Sequence, residues 1–186
     1  MTQRDQLGAD LEYVRSIVDN AEPFIGPATI YWMWAAISLV GFSLYDHDPR
    51  TGSIFWAFAG PIGGVASLLL GRRAARKQGQ ASWRIARYHA LHWCGMLGAI
   101  FLVVALAARG VMGEEALARV ILLILAFGYY TAGIYLVRRM LWIGLLLVGC
   151  FVGMLFFKGL GWTIVGVLLA LSLLLSSMRG GRSGRV

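Results

Sequence analysis

The sequence predicts an all-α integral membrane protein: a six-helix bundle with an amino-terminal amphipathic cytoplasmic helix and both termini in the cytoplasm. Three observations support this class. Of 186 residues, 59% are apolar and only 14% are charged, against about 45–50% and 25% in soluble domains. The apolar residues gather in long stretches, and Lys and Arg concentrate in alternate connections. So little charge cannot cover a water-facing surface, which excludes soluble globular and disordered chains.

Residues 1–25 are predicted to form an amphipathic cytoplasmic helix followed by the entry into the membrane. Apolar residues recur there at helical spacing, namely at Leu7, Leu11, Val14 and Val18. Through Glu22 this segment holds five acidic residues against two arginines. That charge disfavours binding to anionic lipid and favours a basic protein surface.

Six stretches are long enough to cross a membrane, which takes about 20 apolar residues because lipid offers no partner to backbone polar groups. They are residues 26–44, 54–70, 89–107, 117–137, 141–157 and 162–177. Together they form a transmembrane domain over residues 26–178. Residues 179–186, composed mainly of Gly, Ser and Arg, are predicted to be a disordered basic tail.

The distribution of positive charge predicts the orientation. With six spans, thirteen of the 17 Lys and Arg fall on the side of the amino terminus. Basic residues accumulate on the cytoplasmic side of short loops, so both termini are expected in the cytoplasm. The same bias explains most of the net charge of +8, and we therefore expect no nucleic-acid partner.

The second cytoplasmic segment, residues 72–87, is a candidate surface for a protein partner or for lipid. It carries six positive charges and no acid: Arg72, Arg73, Arg76, Lys77, Arg84 and Arg87. Two interpretations stay open. The segment either docks the acidic amino-terminal helix of the same chain, which carries Asp10 and Glu12, or recruits a separate cytoplasmic partner.

A candidate substrate site lies at mid-membrane. The second span contains Gly60, Pro61, Gly63 and Gly64, and the fourth span contains Tyr129, Tyr130 and Thr131 at comparable depth. Transporters build substrate sites from an interrupted helix that faces polar side chains near the midplane. The alternative is that Gly60 and Gly64, spaced as small-xxx-small, only allow close helix packing.

His89 and His92 form a candidate metal or haem site at the cytoplasmic mouth of the third span. Their i, i+3 spacing places them on neighbouring faces of a helix, where they also suit a proton relay. The adjoining membrane segment supplies no carboxylate or further histidine to complete a set of ligands. We therefore expect no bound cofactor.

A candidate cation site lies in the outer loops. Asp46, His47 and Asp48 occupy the first outer loop, and Glu114 with Glu115 occupies the next. Hard divalent cations are bound by several carboxylate oxygens, so a site would form if these loops meet. Short polar turns have the same composition.

The first 40 residues resemble a group of small uncharacterised bacterial multi-pass inner-membrane proteins that are encoded near winged-helix regulators. The shared features are the segment DLEYVR at residues 10–15, then Gly26 and a tryptophan, Trp32 or Trp34, at the start of a span. The resemblance implies a bacterial cytoplasmic membrane and a regulatory or stress-related role. It supplies no functional residues.

The function that these observations favour is a non-enzymatic association or regulatory subunit, because no catalytic motif is present. Its expected partners are the lipid bilayer and either further copies of this chain or another membrane or cytoplasmic protein. The alternative is a small transporter or channel for a neutral or lipid-like solute. The third hypothesis is an intramembrane metal or haem enzyme.

Overall fold

The computed structural model describes residues 27–77, 83–156 and 161–180, together with the single residue Gln6. These ranges contain six helices and no strand, which confirms the predicted all-α class. The helices are α1 (Ala28–His47), α2 (Pro49–Lys77), α3 (Trp83–Ala108), α4 (Glu114–Tyr135), α5 (Arg139–Phe156) and α6 (Trp162–Gly180). Apart from Gln6, the predicted amphipathic helix lies outside the described residues, as does the tail beyond residue 180.

Five of the helices are long and apolar enough to cross a membrane. Their apolar stretches run from 18 residues in α5 to 28 residues in α2. The apolar part of α6, Trp162–Met178, is slightly shorter. Contacts on either side of the connecting turns show that α1 and α2 run antiparallel, as do α4 and α5. Only Asp48 separates α1 from α2.

The helices pack around a core supplied mainly by α1, α4, α5 and α6, where Leu122, Leu147 and Val165 are fully buried. The most extensive packing joins α1 to α6 and α4 to α5. By contrast, α2 packs mainly on α1, and α3 packs mainly on α4. The last two contacts place α2 and α3 on the outside of the bundle.

The α1–α6 pair is held at both ends by polar contacts. At one end the Asp46 carboxylate accepts the backbone N–H groups of Trp162 and Thr163, both at 2.8 Å. At the other end the Trp32 indole N–H donates to the Ser177 hydroxyl at 3.0 Å. These bonds join helices that lie more than a hundred residues apart in the chain.

The two ends of the bundle differ in charge. All described carboxylates lie at what we call the carboxylate end: Asp46, Asp48, Glu114 and Glu115. The opposite end, which we call the basic end, carries the described side chains of Arg72, Arg73, Arg76, Arg87, Arg138 and Arg139 and, within the described residues, no carboxylate.

Aromatic side chains hold the carboxylate end together. The ring of Phe42 stacks on Trp162 with centroids 5.9 Å apart and meets Trp56 edge-on at 5.2 Å. Tyr45 meets Trp162 edge-on at 5.2 Å, and its hydroxyl donates to the Glu114 carbonyl at 3.0 Å. The cluster therefore joins α1, α2 and α6, and the Tyr45 hydrogen bond adds the start of α4.

Asp48 ends α1 and starts α2. Its extended backbone breaks the first helix, and Pro49 occupies the first position of the second, where a missing N–H costs nothing. The carboxylate accepts bonds from the Thr51 hydroxyl and from the backbone N–H groups of Thr51 and Arg50. These bonds, led by those from Thr51, hold the pKa of the Asp48 carboxyl below its ordinary value.

A glycine in the left-handed region ends α3. Gly110 has φ of +76°, and its N–H donates to the Ala107 carbonyl while that of Val111 donates to the Leu106 carbonyl. This pair of bonds satisfies the last carbonyls of the helix. Arg109 stands exposed in this turn.

Two glycines bring α4 and α5 into backbone contact. A Cβ atom on Gly133 would overlap the backbone of Leu141, and one on Gly144 would overlap the backbone of Tyr130. Gly60 and Gly149 have no neighbour within 4 Å of an added Cβ. The close packing that the sequence suggested at Gly60 therefore lies at other glycines.

We expect Gly144→Ala to lower the free energy of unfolding by about 1–3 kcal/mol, because the new methyl group must push α4 away from α5. Gly149→Ala, in the same helix but facing open space, should cause no loss. Equilibrium unfolding in mixed detergent micelles, followed by helix content, measures both values. An equal loss in the two variants would contradict the close approach.

Candidate functional site

A cluster of His, Tyr and Trp side chains lies between α3 and α4 toward the basic end. His92 Nδ1 and the Tyr135 hydroxyl share a hydrogen bond, and the two rings meet edge-on with centroids 5.4 Å apart. Trp93 lies edge-on to His92 at 5.0 Å and to Tyr129 at 5.6 Å. The other ring nitrogen of His92 is buried without a hydrogen-bond partner among the described residues.

Two shallow grooves flank Tyr135. The first encloses about 550 Å³ and is lined by Tyr88, Leu91, His92 and Tyr135. The second encloses about 520 Å³ and is lined by Gly133, Ile134, Tyr135, Leu136, Arg138 and Leu141. Their walls are mostly apolar, and the exposed side chains of Leu91, Ile134 and Tyr135 border them, so both grooves open outward from the helices.

His89 and His92 receive no further ligand in the described ranges. No group of three or more His, Cys, Asp or Glu there is placed to hold a metal ion. Cys94 lies exposed on α3, and helical spacing puts it on nearly the opposite face from His92. The metal or haem site stays a prediction that rests on the two histidines alone.

The glycine and proline segment of the second span lies inside a continuous helix. α2 runs through Pro61 without a break, and a Cβ atom on Gly63 would come within 3.1 Å of the Trp34 and Ile37 side chains. The Trp34 indole N–H donates to the Ser67 hydroxyl at 2.9 Å, and that hydroxyl donates to the Gly63 carbonyl at 2.8 Å. Gly63 therefore packs on α1, whereas a Cβ on Gly64 would lie 3.8 Å from Leu97 of α3.

The polar residues of the fourth span are not brought against this segment, since α2 and α4 share no extensive packing in the described ranges. The Thr131 hydroxyl bonds the carbonyls of its own helix at Phe127 and Gly128. The backbone of Tyr130 lies against Gly144, and Tyr129 packs on Trp93. A substrate site formed jointly by the two segments stays a prediction.

Three of the four carboxylates predicted to bind a cation are engaged in other contacts. Asp46 caps the start of α6, and a Cβ atom on Gly161 would overlap its carboxylate. Asp48 caps α2, and Glu115 pairs with Arg119 across one turn of α4. Glu114 and His47 are exposed. The end of α1 and the start of α4 do meet, because the Tyr45 hydroxyl donates a hydrogen bond to the Glu114 carbonyl.

The predicted partner surface is described only in part. Arg72, Arg73 and Arg76 are exposed at the end of α2, and Arg87 is exposed near the start of α3. Asp10 and Glu12 lie outside the described residues, as do the side chains of Lys77 and Arg84. The docking of the acidic segment on the basic one stays a prediction.

Tyr135, Arg138 and Arg139 are not among the site residues that the sequence predicts. Tyr135 meets a histidine 43 positions earlier, and the Arg139 guanidinium donates to the Ser176 carbonyl at 3.4 Å in the last turns of α6. Both contacts depend on how neighbouring helices are aligned. The available signal was the basic pair Arg138 and Arg139 next to a tyrosine at a helix end.

Comparison of the chain with models of known protein families, curated proteins and solved structures finds no match.

We expect Asp46→Ala to lower the free energy of unfolding by about 1 kcal/mol, because two N–H groups at the start of α6 lose their acceptor. Asp46→Asn keeps an acceptor oxygen and should lose less. The adjacent exposed residue provides the control, and His47→Ala should leave stability unchanged. Chemical unfolding in detergent compares the three variants, and full stability in Asp46→Ala would contradict the cap.

Proposed function

We propose that this chain is a non-enzymatic, multi-pass subunit of a bacterial cytoplasmic membrane that acts by association, and that α3 presents the associating surface. One observation carries the proposal. Although α3 is long and apolar, none of residues 87–108 is buried within the chain. The helix packs mainly on α4, which leaves its opposite face free for another protein.

The free face of α3 suits close approach by a second helix. Cys94, Gly98, Phe101 and Ala105 are all exposed and repeat at alternating spacings of three and four residues. An added Cβ on Gly95 or Gly98 would meet nothing within 4 Å. Small residues between larger apolar ones allow membrane helices to approach closely and to gain van der Waals contact.

The partner that we propose is a second copy of the chain. One face can pair with itself about a two-fold axis, so a single free helix is enough to build a symmetric dimer. The exposed arginines of the basic end would then lie together on the cytoplasmic side. That arrangement supports a regulatory role in which an acidic cytoplasmic segment, from this chain or from a partner, is bound there.

A small carrier for a lipid-like solute is the second candidate. The observation that favours it is the pair of laterally open grooves beside Tyr135. Transfer of a fluorescent lipid between the leaflets of vesicles that contain the protein distinguishes the two functions. We expect no transfer above that of protein-free vesicles if the chain acts by association alone.

The two natural cysteines test the α3 interface. Mild oxidation of membranes should link Cys94 of one copy to Cys94 of another, because the thiol is exposed on the free face. Cys94→Ser should lose the disulfide-linked dimer on a non-reducing gel. Cys150→Ser should keep the dimer, because Cys150 is buried in the bundle core.

Disulfide formation needs Cα atoms within about 7 Å, so a second position protects the test against an unfavourable alignment. The second variant carries Phe101→Cys together with Cys94→Ser. Position 101 lies about two helical turns from position 94 on the same face. Absence of a linked dimer from both positions would contradict association through α3.

A further inference from the structure

The surface around Tyr135 combines an exposed charge with two grooves that open outward between exposed side chains of the helices. The wall of the second groove consists mainly of Ile134, Leu136 and Leu141, with Arg138 at its edge in the turn between α4 and α5. Because the helices are those of a membrane protein, this side faces lipid and not water. A ligand for the groove must therefore be apolar along most of its length.

Arg138 indicates the charge of that ligand. Its side chain is exposed, and its guanidinium has no acceptor in residues 27–77, 83–156 and 161–180. The neighbouring Arg139 is engaged with the Ser176 carbonyl. All carboxylates in those same ranges lie at the carboxylate end of the bundle. A guanidinium forms paired hydrogen bonds with phosphate, so a phosphate group complements this position.

Tyr135 lies between the two grooves. Its ring lines both grooves, and its hydroxyl is held by His92 Nδ1. Tyr88, on the far wall of the first groove, is 58% exposed. Tyrosines at the end of membrane helices place an apolar ring against lipid chains and a hydroxyl among headgroups.

We infer that the basic end binds an anionic phospholipid, with its phosphate on Arg138 and its two acyl chains in the grooves on either side of Tyr135. Two apolar grooves that share Tyr135 as a wall, one of them lined also by Arg138, match a molecule with two chains and one phosphate. The first groove lies mainly on α3, where Leu91 stands one turn before Cys94 on the proposed association face. The second groove, with Arg138, lies on α4, on α5 and in the turn between them, so binding of the phosphate and of one acyl chain there does not depend on association through α3.

The test is competitive lipid binding followed by native mass spectrometry. The full-length protein is equilibrated with equal amounts of dioleoyl phosphatidylglycerol and dioleoyl phosphatidylcholine, which differ in headgroup charge and share their chains. We expect the anionic lipid to be retained in preference to the zwitterionic one. Arg138→Gln should reduce that preference about fivefold, as expected for loss of one arginine beside a membrane surface.

Two kinds of control distinguish a specific lipid site from general attraction of anionic lipid to positive charge. Arg109→Gln removes an exposed arginine from a turn at the other end of the bundle and should leave the preference unchanged. Ile134→Trp fills the second groove without changing charge and should lower retention of the anionic lipid. Ile164→Trp, at an exposed position on α6, should not.

Three results would overturn the inference. The first is an unchanged preference in Arg138→Gln, and the second is an equal loss in Arg109→Gln. The third is full retention of the anionic lipid in Ile134→Trp. Each variant changes an exposed side chain, and an unchanged thermal unfolding profile establishes that it is folded. Bound lipids are counted separately on the monomer and dimer peaks. Loss of lipid binding can then be told apart from loss of self-association.

Discussion

The pairing of α1 with α6 determines how the other helices are arranged. Asp46 supplies the acceptor that the first N–H groups of α6 lack, and Trp32 donates to Ser177 at the other end. Each of these contacts gives a hydrogen-bond partner to a polar group where the two helices meet, which favours this pairing of helices. Since α6 occupies one side of α1, α2 packs on another part of α1 and remains at the outside.

A second close helix pair, α4 with α5, leaves α3 outside the bundle in the same way. α4 packs most extensively on α5, where Gly133 and Gly144 allow backbone contact. Because α5 covers the larger part of the surface of α4, α3 can pack only on the part that α5 leaves exposed. The free face of α3 and the grooves beside Tyr135 both arise from this distribution of neighbours. The proposed association surface and the proposed lipid site thus have one structural origin.

Much of the fold follows from the sequence, because membrane helices are specified by local composition. Apolar stretches predicted six helices. The break between α1 and α2 is also local, because Asp48 and Pro49 form it through contacts with the next few residues. The pairing of helices does not follow in this way, since Asp46 and Trp162 are 116 residues apart. The spacing of small residues suggested close helix packing at Gly60, yet a Cβ atom added there would meet no neighbour within 4 Å. A Cβ atom added at Gly144 would overlap the backbone of Tyr130. Spacing defines a face, and only the tertiary arrangement decides whether that face is buried.

The candidate site was predictable to the same extent. His92 was recognisable as a polar residue at a span end, but its partner Tyr135 belongs to another helix. Arg138 was recognisable only as one more cytoplasmic arginine. Its distinction from Arg139 arises because Arg139 reaches α6 and Arg138 does not.

Within one chain α3 is left exposed, and we propose that a second copy covers it. Native mass spectrometry of the protein extracted from its membrane in polymer discs, without detergent, tests it most directly. We expect a dimer of this chain as the main species. A monomer alone, or a complex that holds one copy of this chain with a different protein, would contradict it.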